Sequence, residues 1–99
     1  MYVVVQHQIK NAENAFSRGQ QLISGEGAPE QVKVLQFLPS LDQTMVTCLW
    51  EADSAESVQE WVDTVLGDSS ENVCYPVATD QAFAERPMGL RATPLIAAG

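Results

Sequence analysis

The 99-residue sequence holds one histidine, two cysteines and five basic residues. It has no apolar run approaching the roughly 18 residues that a membrane-spanning helix needs. Each shortage excludes something. The opening Met1-Tyr2-Val3-Val4-Val5-Gln6 lacks the basic flank and small-residue cleavage site of a secretory leader, so a cytoplasmic protein is expected. Thirteen acids outnumber the five bases, giving a net charge of -8 and a pI near 4.2; such a chain repels polyanions, and nucleic acid is not an expected partner. Cys48 and Cys74 lie in separate apolar stretches with no Cys-x-x-Cys spacing. With one imidazole beside them they cannot supply the four ligands of a structural zinc site, so no metal and no bound cofactor are expected. Reduced, buried thiols are the expected state. No glycine-rich phosphate loop, Gly-x-Ser-x-Gly or His-Glu-x-x-His occurs, which leaves hydrolase and nucleotide-binding functions without a basis.

What is present is a chain 45% apolar and 18% charged, enough for one core and one domain. Tyr2 to Ile9 is dense in valine and too short for a buried helix, which predicts a strand. Ala12, Ala15, Phe16, Gly19, Leu22 and Ile23 then fall three and four apart, predicting a helix to about Ser24 that Gly25 to Pro29 ends. Gln31 to Leu38 and Thr44 to Glu51 read as strands joined by a connection short enough to make them antiparallel neighbours. Asp53 with Glu56 resembles a capping box. Behind it Ala55, Val58, Trp61, Val62, Val65 and Leu66 form one helical stripe, with Glu56, Gln59, Glu60 and Asp63 pointing outward. A polar turn over Asp68 to Glu71 leads to a fourth strand, Asn72 to Thr79, edged by Pro76. Residues 81–99 carry Pro87, Gly89 and Pro94 without any period and read as a tail to a single domain of residues 1–80.

The order β-α-β-β-α-β predicts an α+β, ferredoxin-like fold: a four-stranded antiparallel sheet with two helices on one face. Neither parity of the strands is polar. Val3, Val5 and Ile9 oppose Tyr2 and Val4; Leu35 and Phe37 oppose Val32, Val34 and Leu38; Val46, Cys48 and Trp50 oppose Met45 and Leu49. A sheet with one wet face alternates apolar with polar instead. A homodimer through the helix-free face is therefore expected, with Leu90, Leu95 and Ile96 of the tail either packing on the partner chain or fraying.

The element order over residues 2 to about 80 resembles the dimeric α/β-barrel superfamily. The segment Thr47-Cys48-Leu49-Trp50-Glu51-Ala52-Asp53-Ser54, followed by Val58 and Trp61, is similar to its antibiotic-biosynthesis-monooxygenase branch. That resemblance implies either a cofactor-free, quinone-forming oxygenase or a heme-degrading enzyme. His7 and Trp50 match positions that line the heme cleft. The iron-binding histidine of the second helical region has no counterpart, because no imidazole follows His7 and Ser69 and Ser70 stand there. A ferredoxin-like nickel binder is similar in length, but one His and two separated Cys are a poor ligand set. Placed two strand spacings apart, near ~10 Å, Cys48 and Cys74 are too distant for a disulfide.

For a cofactor-free oxygenase, Phe16, Phe37, Trp50, Trp61 and Tyr75 would wall a dry pocket, with His7, Asn14 or Tyr75 as polar contacts and His7 as candidate base. The same aromatics would serve equally as core, and His7 as a hydrogen-bonded structural residue. Three roles follow as expectations. They are a homodimer binding a small, partly apolar molecule between sheet and helices, a cofactor-free monooxygenase, and a structural or regulatory dimer without a pocket. Nine acids between Glu51 and Glu85, with no Lys or Arg among them, would form a solvated face or attract a basic partner.

Overall fold

A computed structural model describes residues 1–86 and 88–91. The valine-rich start is β1 (Tyr2–Ile9), central in the sheet. Asn11 then turns the chain into α1 (Ala12–Ser24), its side-chain oxygen accepting the Asn14 N–H at 3.0 Å, and Gly25 ends the helix in the left-handed conformation at φ 76°. Strands β2 (Lys33–Pro39) and β3 (Met45–Glu51) form the hairpin. At its tip Asp42 Oδ1 accepts hydrogen bonds from Ser40 Oγ and from the backbone and hydroxyl of Thr44. These bonds hold the Asp42 carboxyl below the usual range. Helix α2 (Ala55–Leu66) and a 3₁₀ turn (Gly67–Ser69) lead into β4 (Ser70–Pro76).

The strand order is β2-β3-β1-β4, antiparallel throughout, so the α+β, ferredoxin-like βαββαβ fold is the observed one. Several local expectations need correction. Ser54, not Asp53, caps α2, accepting the Ser57 N–H at 3.1 Å, while Asp53 Oδ1 holds the Ser57 hydroxyl at 2.7 Å. The Ser57 hydroxyl, not Glu56, reaches back to the cap, and it does so as a donor, to Asp53 Oδ1 and to the Ser54 carbonyl. The fourth strand begins at Ser70 rather than Asn72 and ends at Pro76 rather than Thr79, because polar side chains do not prevent pairing beside β1. Strand β2 starts at Lys33, not Gln31.

Alternation also fails in β2. Val34 pairs with Trp50 but Gln36 with Leu49, so Leu35 is the extra residue of a bulge. Val34 and Phe37 consequently share the helix-facing side, where strict period-two counting separates them. That side carries Val3, Val5 and His7 of β1 and Val46, Cys48 and Trp50 of β3, all 3% exposed or less. Val58, Val62 and Leu66 of α2 complete the core with them.

Two helices do not cover four strands equally. Helix α2 packs on β4 and β1, whereas α1 packs chiefly on α2 and the 3₁₀ turn. Arg18 of α1 fixes that arrangement by donating from Nη1 to the Leu66 carbonyl at 2.9 Å and pairing with Asp68 at 3.3 Å. A cation at the end of α2 meets the negative end of its dipole. The inner face over β3 and β2 is left partly uncovered. Among the described residues no helix is long and apolar enough to cross a membrane.

Candidate functional site

The uncovered half of the inner face is a cavity of about 1000 Å³. Its floor is Val46, Cys48 and Trp50 of β3 with Val34 and Phe37 of β2, and its roof is the Phe16, Gly19 and Leu22 side of α1. The 3.6-residue period of α1 explains the roof, since those residues share the stripe that would otherwise meet the sheet. Gly19 keeps the space open: a Cβ built there meets nothing within 4 Å. Among the described residues no side chain fills this space over β2 and β3.

His7 lines the inner end of this cavity and is 2% exposed. Register places it directly opposite Asn72 on β4, and its Nδ1 lies 2.6 Å from Asn72 Oδ1. The orientation of that amide is set from the other side. Asn72 Nδ2 donates to Asp63 Oδ1 at 2.8 Å, and Oδ1 also accepts the Ser70 hydroxyl at 2.6 Å. An amide oxygen only accepts, so Nδ1 of His7 must carry the hydrogen and Nε2 keeps the lone pair. Burial lowers the His7 pKa below 6.5, with the Asn72 bond and the Asp63 charge partly opposing the shift. At neutral pH the imidazole is uncharged. Gln59 Nε2 steadies the far end, donating to Asp63 Oδ2 at 3.0 Å and to the Asn72 carbonyl at 2.9 Å. Asp63 is exposed as expected, and together with the half-buried Gln59 it ties α2 to β4.

The aromatic residues expected to form a pocket divide. Phe16, Phe37 and Trp50 meet at the cavity with His7. Trp61 does not line it; its ring lies beside the Gly25–Ala28 loop, near Gly27 at φ 79°. Tyr75 pairs with Val4 on the helix-free face and is 46% exposed. Asn14 is exposed on α1, and its backbone serves the helix cap. Trp50 is aligned with Val3 and His7 with Val46, so four residues of strand, roughly 13 Å, separate the two along the sheet. Both indole N–H groups, of Trp50 and Trp61, are buried without a protein acceptor.

Cys48 and Cys74 both sit across from Val5, on opposite sides of β1, and both are free. Burial pushes the Cys48 thiol up to about 12 and the Cys74 thiol up to about 11, so neither is a nucleophile at neutral pH. Among the described residues no three His, Cys, Asp or Glu side chains come together as a metal site.

Sequence reasoning does not single out Asn72 and Asp63, since amides and exposed acids on a strand and helix carry no motif. Register would have found Asn72, because the pairing that sets Cys74 opposite Val5 sets Asn72 opposite His7. Leu95 and Ile96, expected either on a partner chain or frayed, lie outside the described residues; Leu90 is described and half exposed at the cavity mouth.

No curated protein matches the chain. Among solved structures, a protein from Deinococcus radiodurans proposed to be an antibiotic biosynthesis monooxygenase is similar at 15% identity. The match has a TM-score of 0.45 and covers 90% of this chain and 100% of that one. Residues 1–89 match the family described as a domain of unknown function (DUF3303), and the chain belongs to that family.

Proposed function

We propose that the chain works as a homodimer that binds a small, partly apolar molecule between α1 and the β2–β3 half of the sheet. The cavity of about 1000 Å³ carries this reading. It matches the upper end of small-molecule sites, roughly 300–1000 Å³, and has their make-up of apolar walls with few polar groups. An apolar occupant recovers about 25 cal/mol for each Å² of lining it removes from water. The dimer is supported by the helix-free face. Tyr2, Leu38, Met45, Val73 and Tyr75 of this face are between 39% and 59% exposed in a single chain. Completing their burial yields roughly 3.5–7 kcal/mol per chain at 1.5–3 kcal/mol for a whole side chain. A two-fold interface counts that gain twice, which is comparable to the roughly 4–15 kcal/mol association costs in lost freedom.

Native mass spectrometry of the protein purified from its own host tests both parts at once. The expected species is twice 10.8 kDa plus a non-peptide mass. A bare 10.8 kDa species at micromolar concentration would overturn the reading.

A second reading, a cofactor-free monooxygenase, is favoured by one observation: His7 is neutral, its tautomer is imposed by Asn72, and it lines the cavity. Its Nε2 would take the proton of a phenolic substrate. The resulting anion would be oxidised by dioxygen, one oxygen atom entering as a quinone carbonyl and the other leaving as water. Oxygen uptake with a phenolic substrate measures this, and His7→Ala is expected to abolish it; undiminished turnover in that variant would discard His7 as the base.

A further inference from the structure

The charges around the cavity are not a sample of the chain. Overall the sequence has 13 acids and five bases, yet the cavity is lined by Lys33, Arg86 and Arg91 and by no acid at all. Three of the five bases thus line one opening and no acid of the described residues does, although Lys33 also has Glu51 as its cross-strand neighbour on β3. All three are exposed, and the single ion pair among the described residues, Arg18 with Asp68, involves none of them. Lys33 begins β2, the edge strand beside the cavity, whereas Arg86 and Arg91 belong to the segment after β4 that reaches its mouth. Inward from this rim the walls are Leu35, Phe37, Phe16, Leu22 and Trp50.

From this geometry we infer that the ligand is an amphipathic monocarboxylate: an apolar body seated against Phe16, Phe37 and Trp50, with its anionic head at the Lys33, Arg86 and Arg91 rim. The inference rests on the ligand-binding reading above and adds the chemical class. An uncharged apolar molecule makes no use of the three cations. A cationic one is repelled at the mouth although the protein as a whole attracts it. Arginine suits a carboxylate because its planar fork donates two parallel hydrogen bonds. The acid is taken up free in solution rather than from an anionic bilayer, since a chain of net charge -8 is repelled by a surface of its own sign. Exposed ion pairs are individually weak, so the expected discrimination is roughly tenfold rather than thousandfold.

The test compares two probes that differ only in the head group, decanoate and decan-1-ol, by isothermal titration calorimetry on the full chain. Decanoate is expected to bind about tenfold more tightly. In the triple variant Lys33→Gln, Arg86→Gln, Arg91→Gln the two probes are expected to bind equally, at the affinity the alcohol shows for the unaltered protein. These are exposed positions, and an unchanged thermal midpoint verifies the fold. Equal binding of both probes to the unaltered protein refutes the carboxylate preference and leaves the cavity a neutral apolar site. Failure of both probes to bind, or release of neither by Gly19→Trp, which fills the cavity from α1, refutes the ligand site itself. Binding of decanoate-containing anionic vesicles in place of the free acid would also overturn the proposal.

Discussion

Replacing Asn72 by alanine removes the one acceptor that His7 Nδ1 has among the described residues. The ring is 2% exposed, and an unpaired buried donor costs about 1–3 kcal/mol. Ser70, itself 5% exposed, loses the acceptor of its hydroxyl in the same step. Together the expected loss is roughly 2–4 kcal/mol. For a domain of this size that is a fall in Tm of roughly 8–32 °C, at 4–8 °C per kcal/mol. Urea unfolding at one fixed protein concentration measures it, with the slope m unchanged if the unfolded state is unaffected. A double-mutant cycle isolates the pair. His7→Phe takes away the donor, so adding it to Asn72→Ala is expected to cost at least about 1 kcal/mol less than adding it to the unaltered chain. Strict additivity, or a loss below about 0.5 kcal/mol for Asn72→Ala, would refute the claim that this amide holds the imidazole.

Because burial keeps the His7 pKa below its ordinary 6.5, the unfolded chain takes up that proton first. Stability is therefore level in this group above pH 6.5, falls as pH drops through the window down to the folded value, and loses that slope in His7→Phe; an unchanged slope assigns the pH dependence elsewhere. Gly19→Ala is expected to stabilise α1 by about 0.5–1 kcal/mol, since the helix gains propensity and the Cβ meets empty space, with thermal unfolding as the measure. Met45→Glu with Val73→Glu places two charges on the exposed face of the sheet. Sedimentation is expected to show 10.8 kDa monomers with unaltered far-ultraviolet dichroism, and a persisting dimer would locate the interface elsewhere. With Cys74 pushed up to about 11 from 9.0, its thiolate fraction at pH 8 falls about 100-fold. Labelling by a thiol reagent is expected to be slower by that factor in the native protein than in urea.

The order and type of the elements are legible in the sequence because long-range packing agrees with local pattern. Valine density gives β1, the Phe16–Leu22 stripe gives α1, and the Val58–Leu66 stripe gives α2. Legibility fails where short polar side chains near a helix start can share the cap in several ways, as when Ser54 caps α2 and the Ser57 hydroxyl donates back to Asp53 and Ser54. It fails again at the Leu35 bulge, because a single added residue reverses every face after it without altering composition. His7, Phe16 and Trp50 are placed on one side of the sheet by element order and strand parity, whereas Phe37 joins Val34 there only through the bulge. Tyr75 is not placed there, since whether a strand residue faces helix or solvent depends on register, and Trp61 is not, since α2 is wide enough for one side of its stripe to turn toward the Gly25–Ala28 loop instead of the sheet.

The position of the site follows from an unequal division of labour between the helices. Helix α2 ends against β4 through the Gln59–Asp63–Asn72 bonds, which commits it to the β4–β1 half of the sheet. Arg18 in turn binds α1 to the end of α2 rather than to a strand. The two ties together set α1 against α2 and the 3₁₀ turn rather than against β2, a placement that accounts for the space between α1 and β2. Loosening them should therefore act at the cavity. In Arg18→Gln the contacts of Nη1 with the Leu66 carbonyl and Asp68 are lost, and α1 is free to settle onto Val34 and Phe37. The expected result is weaker binding of an apolar probe with little loss of stability, because new apolar contact offsets the missing surface pair. Unchanged probe affinity in that variant would mean that α1 is held off the sheet by its own side chains, and the polar ties would lose their role in shaping the site.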